Sequence, residues 1–245
     1  MGRRPWTVRL YVVHNSHPCV AVAKALELKR IDYSVWEWPP PLHPVGQTLL
    51  FGGRTVPAVS FGRGDRVQGS RAIMHRLDEL VPEPALYPDD PELRGRVEEA
   101  DRWGDEQLQQ IPRDLLWAGL VHSPGALATY GEGSLVPLPP AAIRLIAPGV
   151  VRAQRALNRT GDAKARARLA ALPVMFDRID EWIADGTLGD DEHPNAADLQ
   201  ILSSVRLLYT VADVRPMLND RPCLAAAQAL WPPAPGRLPE GALRV

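Results

Sequence analysis

The sequence predicts a mixed α/β domain followed by an all-α domain. Up to Leu80, short apolar runs rich in β-branched residues alternate with amphipathic stretches. After Pro82 and Pro84 no convincing strand pattern recurs. Apolar residues instead fall at three- and four-residue steps, the mark of packed helices.

Val8 to Val13 reads as a buried strand. From Pro18 onward, Val22, Ala25, Leu26 and Lys29 repeat at helical spacing, and Pro18 sits where the first N–H groups have no partner anyway. Ile31 to Trp38 alternates as a second strand ended by Pro39-Pro40-Pro41, and an irregular connection is expected to follow. Val56 to Phe61 gives a third strand, and Arg63-Gly64-Asp65-Arg66 turns the chain into Val67-Gln68. Ser70 caps a helix through Ile73, Met74 and Leu77. The order is β-α-β, an irregular connection, then β-β-α. We expect a first domain at 1–83, a linker at 84–90 and a helical domain at 91–245.

Pro88-Asp89-Asp90-Pro91 has the form of a linker ending in a helix cap. Val97, Asp101, Gly104, Leu108, Ile111, Leu115 and Ala118 outline one long amphipathic helix, which Pro112 should bend or split. Ser134 to Pro140 is expected to be a loop. Leu169, Leu172, Phe176, Ile179 and Ile183 outline another helix, with Pro173 to accommodate. Asn195-Ala196-Ala197-Asp198 places an N-cap three residues before an acid, ahead of Leu199, Leu202, Val205 and Leu208. The Pro- and Gly-rich tail after Trp231 should drape over the surface.

At 245 residues, with 45% hydrophobic and 23% charged side chains, the chain has the make-up of an ordinary soluble globular protein. A formal charge of −1 offers no electrostatic case for nucleic acid or a membrane surface. No window reaches the length of a membrane span. Met1 to Trp6 reads as a frayed terminus, and the apolar run behind it is too short for a signal peptide. Cys19 and Cys223 are too few for a disulfide framework, which suits the cytoplasm.

Three short segments carry candidate chemistry: His14-Asn15-Ser16-His17-Pro18-Cys19, Thr55-Val56-Pro57 and Gly69-Ser70-Arg71. Ser16 is an N-cap or a functional hydroxyl. Cys19, one turn into the helix, is a small buried side chain or a reactive thiol. His17 touches a ligand from the loop or is solvated. His14, His17 and Cys19 have no familiar metal-ligand spacing, and no metal is expected. Tyr11 lies in the first strand and packs. Trp103 and Trp117, about four turns apart on one helix, line a substrate pocket or pack the core. Arg54 and Arg71 are candidates for carboxylate pairing.

The words Leu10-Tyr11, Ser16-His17-Pro18-Cys19, Leu26 to Tyr33, Val56-Pro57-Ala58-Val59, Ser70-Arg71-Ala72-Ile73, Leu86-Tyr87-Pro88 and Asn195 to Leu199 stand in this order. Through them the chain resembles the cytosolic glutathione transferase family over nearly its whole length. The resemblance implies a thioredoxin-like domain followed by an all-helical one, a homodimer, and a role in detoxification. It implies glutathione as co-substrate, a small electrophile as second substrate, and no cofactor beyond the thiol. It further implies that Pro57 is cis and that the Val56 backbone pairs with the cysteinyl part of glutathione. Ser70 and its helix start would take the γ-glutamyl carboxylate. Ser16 would face the sulfur and favour the thiolate. His17, Thr55, Gly69 and Arg71 would complete the site.

Two departures from the family pattern stand out. Gly69 replaces the Glu or Gln that often precedes the serine, so that Thr55-Val56-Pro57 with Gly69-Ser70 looks more like a glutaredoxin site. Ser16-His17-Pro18-Cys19 likewise aligns with the glutaredoxin Cys-x-x-Cys, with Ser in the nucleophilic place. The readings beside a transferase are a thiol oxidoreductase acting through Cys19, a non-catalytic ligand-binding protein, and a protein serving another low-molecular-weight thiol.

Overall fold

In the computed structural model β1 (Val8–Val12) turns Val8, Leu10 and Val12 into the core, as a strand covered on one face must. The structure describes residues 7–39, 42–62, 64–189 and 192–244. The expected frayed terminus at Met1 to Trp6, Pro40 and Pro41 of the strand-ending prolines, and Arg63 of the turn lie outside them. Strand β2 (Tyr33–Glu37) pairs parallel to β1, with Leu10 opposite Val35. A parallel pair needs a crossover, and α1 (His17–Leu28) supplies it, burying Ala21, Val22, Ala25 and Leu26. On the other side of β1, β3 (Ala58–Gly62) runs antiparallel and β4 (Asp65–Gln68) follows by a hairpin. The sheet order is β2-β1-β3-β4, and α3 (Ser70–Leu80) packs beside α1.

The connection between β2 and β3 is not irregular throughout. It contains α2 (His43–Phe51), which opens with Pro44 in its first turn and closes on Gly52 at φ 82°. Only Gln47 of α2 is buried, while Val45 and Leu49 face outward, so no inward apolar stripe announces the helix in the sequence. Gly46 is required by close approach: a Cβ there would lie 2.3 Å from the Trp38 ring.

The passage from sheet to helices is pinned rather than loose. Lys29, buried at the end of α1, gives its Nζ protons to the Asp78 carboxylate and to the carbonyls of Val81, Pro82 and Pro84. Asp78 in turn accepts the N–H groups of Leu86 at 2.9 Å and Tyr87 at 3.0 Å.

Asp90 caps α4 (Pro91–Trp103), accepting the Leu93 N–H at 2.8 Å. The helix continues through one π-helical turn, Gly104–Leu108, into α5 (Gln110–His122). The interruption expected at Pro112 thus falls one turn earlier, as a π-helical turn. Pro112 lies in the first turn of α5, has no N–H to give, and its ring crowds the carbonyl four residues back. A 3₁₀ stretch (Pro124–Gly131) leads to α6 (Pro140–Leu157), then α7 (Asp162–Ala184), with Pro148 and Pro173 inside them.

Helix α8 (Ala196–Leu208) begins with the expected capping box: Asn195 Oδ1 accepts from Ala197 and Asp198, and Asp198 Oδ2 accepts from Asn195. It is buried on nearly every side and packs on α1, α4 and α10 (Pro222–Leu230), with the short α9 (Arg215–Leu218) between. The tail does more than drape. Leu238 is 1% exposed, exchanges backbone hydrogen bonds with Thr210 and Ala212, and fills the space beside Gly119. Among the described residues no helix is long and apolar enough to cross a membrane.

Candidate functional site

Three backbone features meet between the sheet and the helices. The first is the turn from β1 into α1. Asn15 takes φ 56°, Ser16 donates its N–H to the Val13 carbonyl, and the Ser16 carbonyl accepts from Cys19 and Val20. Ser16 is the N-cap by backbone geometry, but its hydroxyl makes no capping bond and lies within hydrogen-bond reach of the Cys19 thiol behind it. Cys19 sits behind it, 4% exposed. Burial pushes its thiol up to about 11, against hydrogen bonds to Ser16 and the Val13 backbone that pull it down. A thiol in that state is a packing group rather than a nucleophile at neutral pH.

His17 is not a solvated loop residue. It is 3% exposed, and its Nε2–H donates to the Gln109 carbonyl at 3.0 Å. Burial, with the nearby Arg113 cation, holds the imidazole neutral down to about pH 3, and the hydrogen bond to Gln109 only partly opposes this.

The second feature is the Val56–Pro57 peptide, which is cis. The Pro57 carbonyl accepts from Gly69 at 2.9 Å, and Gln68 Nε2 clamps the preceding loop through the carbonyls of Gly53 at 2.9 Å and Thr55 at 2.6 Å. Among the described residues nothing pairs with the Val56 N–H or C=O.

The third is the start of α3. The capping residue is Gly69, at φ 95°, rather than Ser70, and a left-handed entry of that kind favours glycine. Ser70 is the first helical residue, 2% exposed, and its Oγ is 3.4 Å from Gln109 Nε2. Among the described residues no side chain caps α3, so its leading N–H groups are available. Arg71 is committed elsewhere. Its Nε lies 2.9 Å from the buried Asp101, which also accepts from Tyr87 at 2.9 Å. Burial raises the Asp101 carboxyl to about 6 even so.

A cavity of about 730 Å³ opens between these features and the helices. Among the sequence candidates Ser16, His17, Arg54, Thr55, Val56 and Trp117 line it. Trp103 packs edge-on against Trp182, ring centres 5.1 Å apart, away from the cavity lining. Cys19, Pro57, Gly69, Ser70 and Arg71 lie behind or beside the lining.

Three residues of the helical half complete the site without having been singled out in the sequence. Gln109 Nε2 reaches both Ser70 Oγ and Asp105 Oδ1, the latter at 2.9 Å. Arg113 Nη2 donates to Gln109 Oε1 at 2.6 Å and projects into the cavity wall. Its charge bears on both His17 and Cys19, and burial pulls its own basicity down. The one legible signal is spacing: 105, 109 and 113 are successive i, i+4 positions. Among the described residues no group of three or more His, Cys, Asp or Glu side chains is placed to hold a metal ion.

Residues 10–85 match the family model of the glutathione S-transferase N-terminal domain. No curated protein matches the chain in sequence. A solved glutathione S-transferase from Rhodospirillum rubrum is 20% identical with a TM-score of 0.52, covering 97% of this chain and 98% of that one. A β-etherase from Sphingobium is also 20% identical, with a TM-score of 0.60 over 90% of this chain and 98% of its own. A maleylacetoacetate isomerase from Anaeromyxobacter dehalogenans, solved with glutathione in its active site, is 20% identical with a TM-score of 0.53 over 93% and 90%. At this identity the likenesses establish fold. Residues 10–85 therefore belong to the glutathione S-transferase N-terminal domain family, and the chain as a whole has the cytosolic glutathione transferase fold, a thioredoxin-like sheet domain followed by helices.

Proposed function

We propose that the protein is a glutathione transferase, joining the glutathione sulfur to a small electrophile. The observation that carries this reading is the Val56 main chain, unpaired among the described residues, beside a cis proline and in the same cavity wall as Ser16. A strand edge of one residue can take up the cysteinyl N–H and C=O of an extended tripeptide. The γ-glutamyl carboxylate would go to the leading N–H groups of α3, its ammonium to Asp105, and the glycyl carboxylate to Arg54.

Ser16 and Arg113 would then stabilise the sulfur as thiolate, the hydroxyl by donating to it and the guanidinium by charge. The thiol proton leaves to solvent. The thiolate pair forms the bond to the electrophilic carbon, and the leaving group departs with the pair of the broken bond. Proximity and electrostatic stabilisation supply the rate. Each helix-end or hydroxyl contact is worth about 0.3 to 2 kcal/mol, enough together to lower a thiol pKa by about one or two. A cytoplasmic homodimer acting in detoxification belongs to the same proposal.

Titration with glutathione at millimolar concentration tests it, in competition with other low-molecular-weight thiols. No binding leaves a non-catalytic carrier, and preference for another thiol replaces the co-substrate. Ser16→Ala should lower kcat about tenfold or more with KM for glutathione nearly unchanged, and Cys19→Ser should change neither much. Conjugation that survives Ser16→Ala and collapses with Cys19→Ser moves the chemistry to the thiol oxidoreductase reading.

A further inference from the structure

The far end of the cavity has a chemical character that the glutathione site does not use. Two helix faces form its walls. On α5, Gln110, Arg113 and Trp117 share one stripe, and on α6 Ile146, Val150 and Gln154 share another. The two helices run in opposite directions. The end of α6 meets the start of α5, where Thr160 Oγ donates to the Asp114 carbonyl at 3.1 Å, and Ile143 meets Gly131 beyond the other end of α5. The cavity is therefore graded. One end is apolar, at Trp117, Leu127 and Ile143, and the other is polar and basic, at Gln110, Asn158, Arg159 and Lys164.

The charge balance is one-sided. Arg54, Arg113, Arg159 and Lys164 line the cavity, and Glu37 is the carboxylate facing them among the described lining residues. Glu37 is already engaged by the Ser134 hydroxyl and by the Leu135 N–H at 3.0 Å. Glutathione would use Arg54 and Arg113. At the polar end, Lys164 shares the buried Asp114 with Arg168, at 2.9 and 3.2 Å, so one carboxylate faces two cations. Arg159 follows α6 at φ 50°, and among the described residues its guanidinium has no partner.

We propose that the second substrate is an apolar molecule ending in a carboxylate, its body between α5 and α6 and its carboxylate at Arg159 and Lys164. This rests on the transferase reading of the near end. A neutral electrophile gains nothing from the surplus charge, and a cationic one is repelled by it. An apolar wall with a few convergent polar groups at one end sets orientation as well as affinity.

Binding of 2-naphthoate and of 2-naphthamide, followed by tryptophan fluorescence on the full chain, separates shape from charge. The acid should bind about tenfold more tightly than the amide, equivalent to about 1.4 kcal/mol. Arg159→Gln should cut that preference about threefold, and Arg159→Gln with Lys164→Gln should abolish it. Arg159→Lys should keep most of it, which controls for loss of fold. Equal binding of acid and amide, or a preference untouched in the double variant, overturns the proposal. Glutathione titration of the same samples keeps the two claims apart. Glutathione binding without acid preference removes the carboxylate site alone. Acid preference without glutathione binding removes the transferase reading and leaves an anion-binding cavity.

Discussion

Replacing His17 by Gln should make the protein markedly less sensitive to mild acid. His17 is buried and neutral, its imidazole held down to about 3 chiefly by desolvation and then by Arg113. In the unfolded chain the same side chain takes a proton near pH 6.5. Its folded pKa is depressed, so the stability it contributes is complete above about pH 6.5 and is lost as pH falls toward about 3. The loss approaches about 5 kcal/mol at the lower limit and is about 2 kcal/mol by about pH 5. Asp101 works in the opposite sense. Its carboxyl is raised to about 6, so the native state takes up that proton first and gains about 1 kcal/mol over the same interval. The wild-type curve is therefore a difference, and the variant is needed to expose the His17 part. Gln can still donate to the Gln109 carbonyl, which preserves the contact between the layers. Urea unfolding at neutral pH and at about pH 5 should show the wild type losing about 2 kcal/mol relative to His17→Gln. Equal changes in the two proteins would refute the assignment of a buried, uncharged imidazole.

Arg71→Met leaves the Asp101 carboxylate buried with Tyr87 alone and should cost about 3 kcal/mol in urea unfolding. It should change glutathione affinity less than Ser70→Ala does. A larger loss of affinity would place Arg71 on the ligand after all. Cys19 and Cys223 are both buried with raised thiol pKa values, so a thiol-specific disulfide reagent at mildly alkaline pH should label neither until denaturant is added. Rapid labelling of Cys19 in the native protein would contradict its burial. Gly69→Ala meets no atom within 4 Å but must adopt φ 95°, and should destabilise by about 1 to 2 kcal/mol. Trp103→Ala should lower stability by about 3 kcal/mol and leave ligand binding intact. Trp117→Ala should weaken naphthoate binding, since Trp117 lies in the cavity wall.

What the sequence discloses of this site is what local grammar controls. A strand breaking into Ser16-His17-Pro18 must start a helix, and Asp90 and Asn195 are caps whose partners lie within three residues. Val56-Pro57 reads in the sequence as the start of the third strand, which in the structure begins at Ala58, and its cis geometry followed from resemblance rather than from the residues themselves. Contacts made across the chain were not legible. His17 and Gln109 are 92 residues apart, Arg71 and Asp101 are 30, and in each pair a residue that reads as exposed is consumed by a partner. Helix α2 escaped because its apolar side chains face outward, against the usual pattern. The cavity walls escaped because Pro148 interrupts the stripe on α6 and because the basic end is assembled from α5, α6 and α7 together.

The most direct measurement is a crystal structure of the protein soaked with glutathione. The sulfur should lie within hydrogen-bond distance of Ser16 Oγ, and the cysteinyl N–H and C=O should pair with the Val56 main chain. A tripeptide bound elsewhere in the cavity, or a sulfur joined to Cys19, would contradict the account.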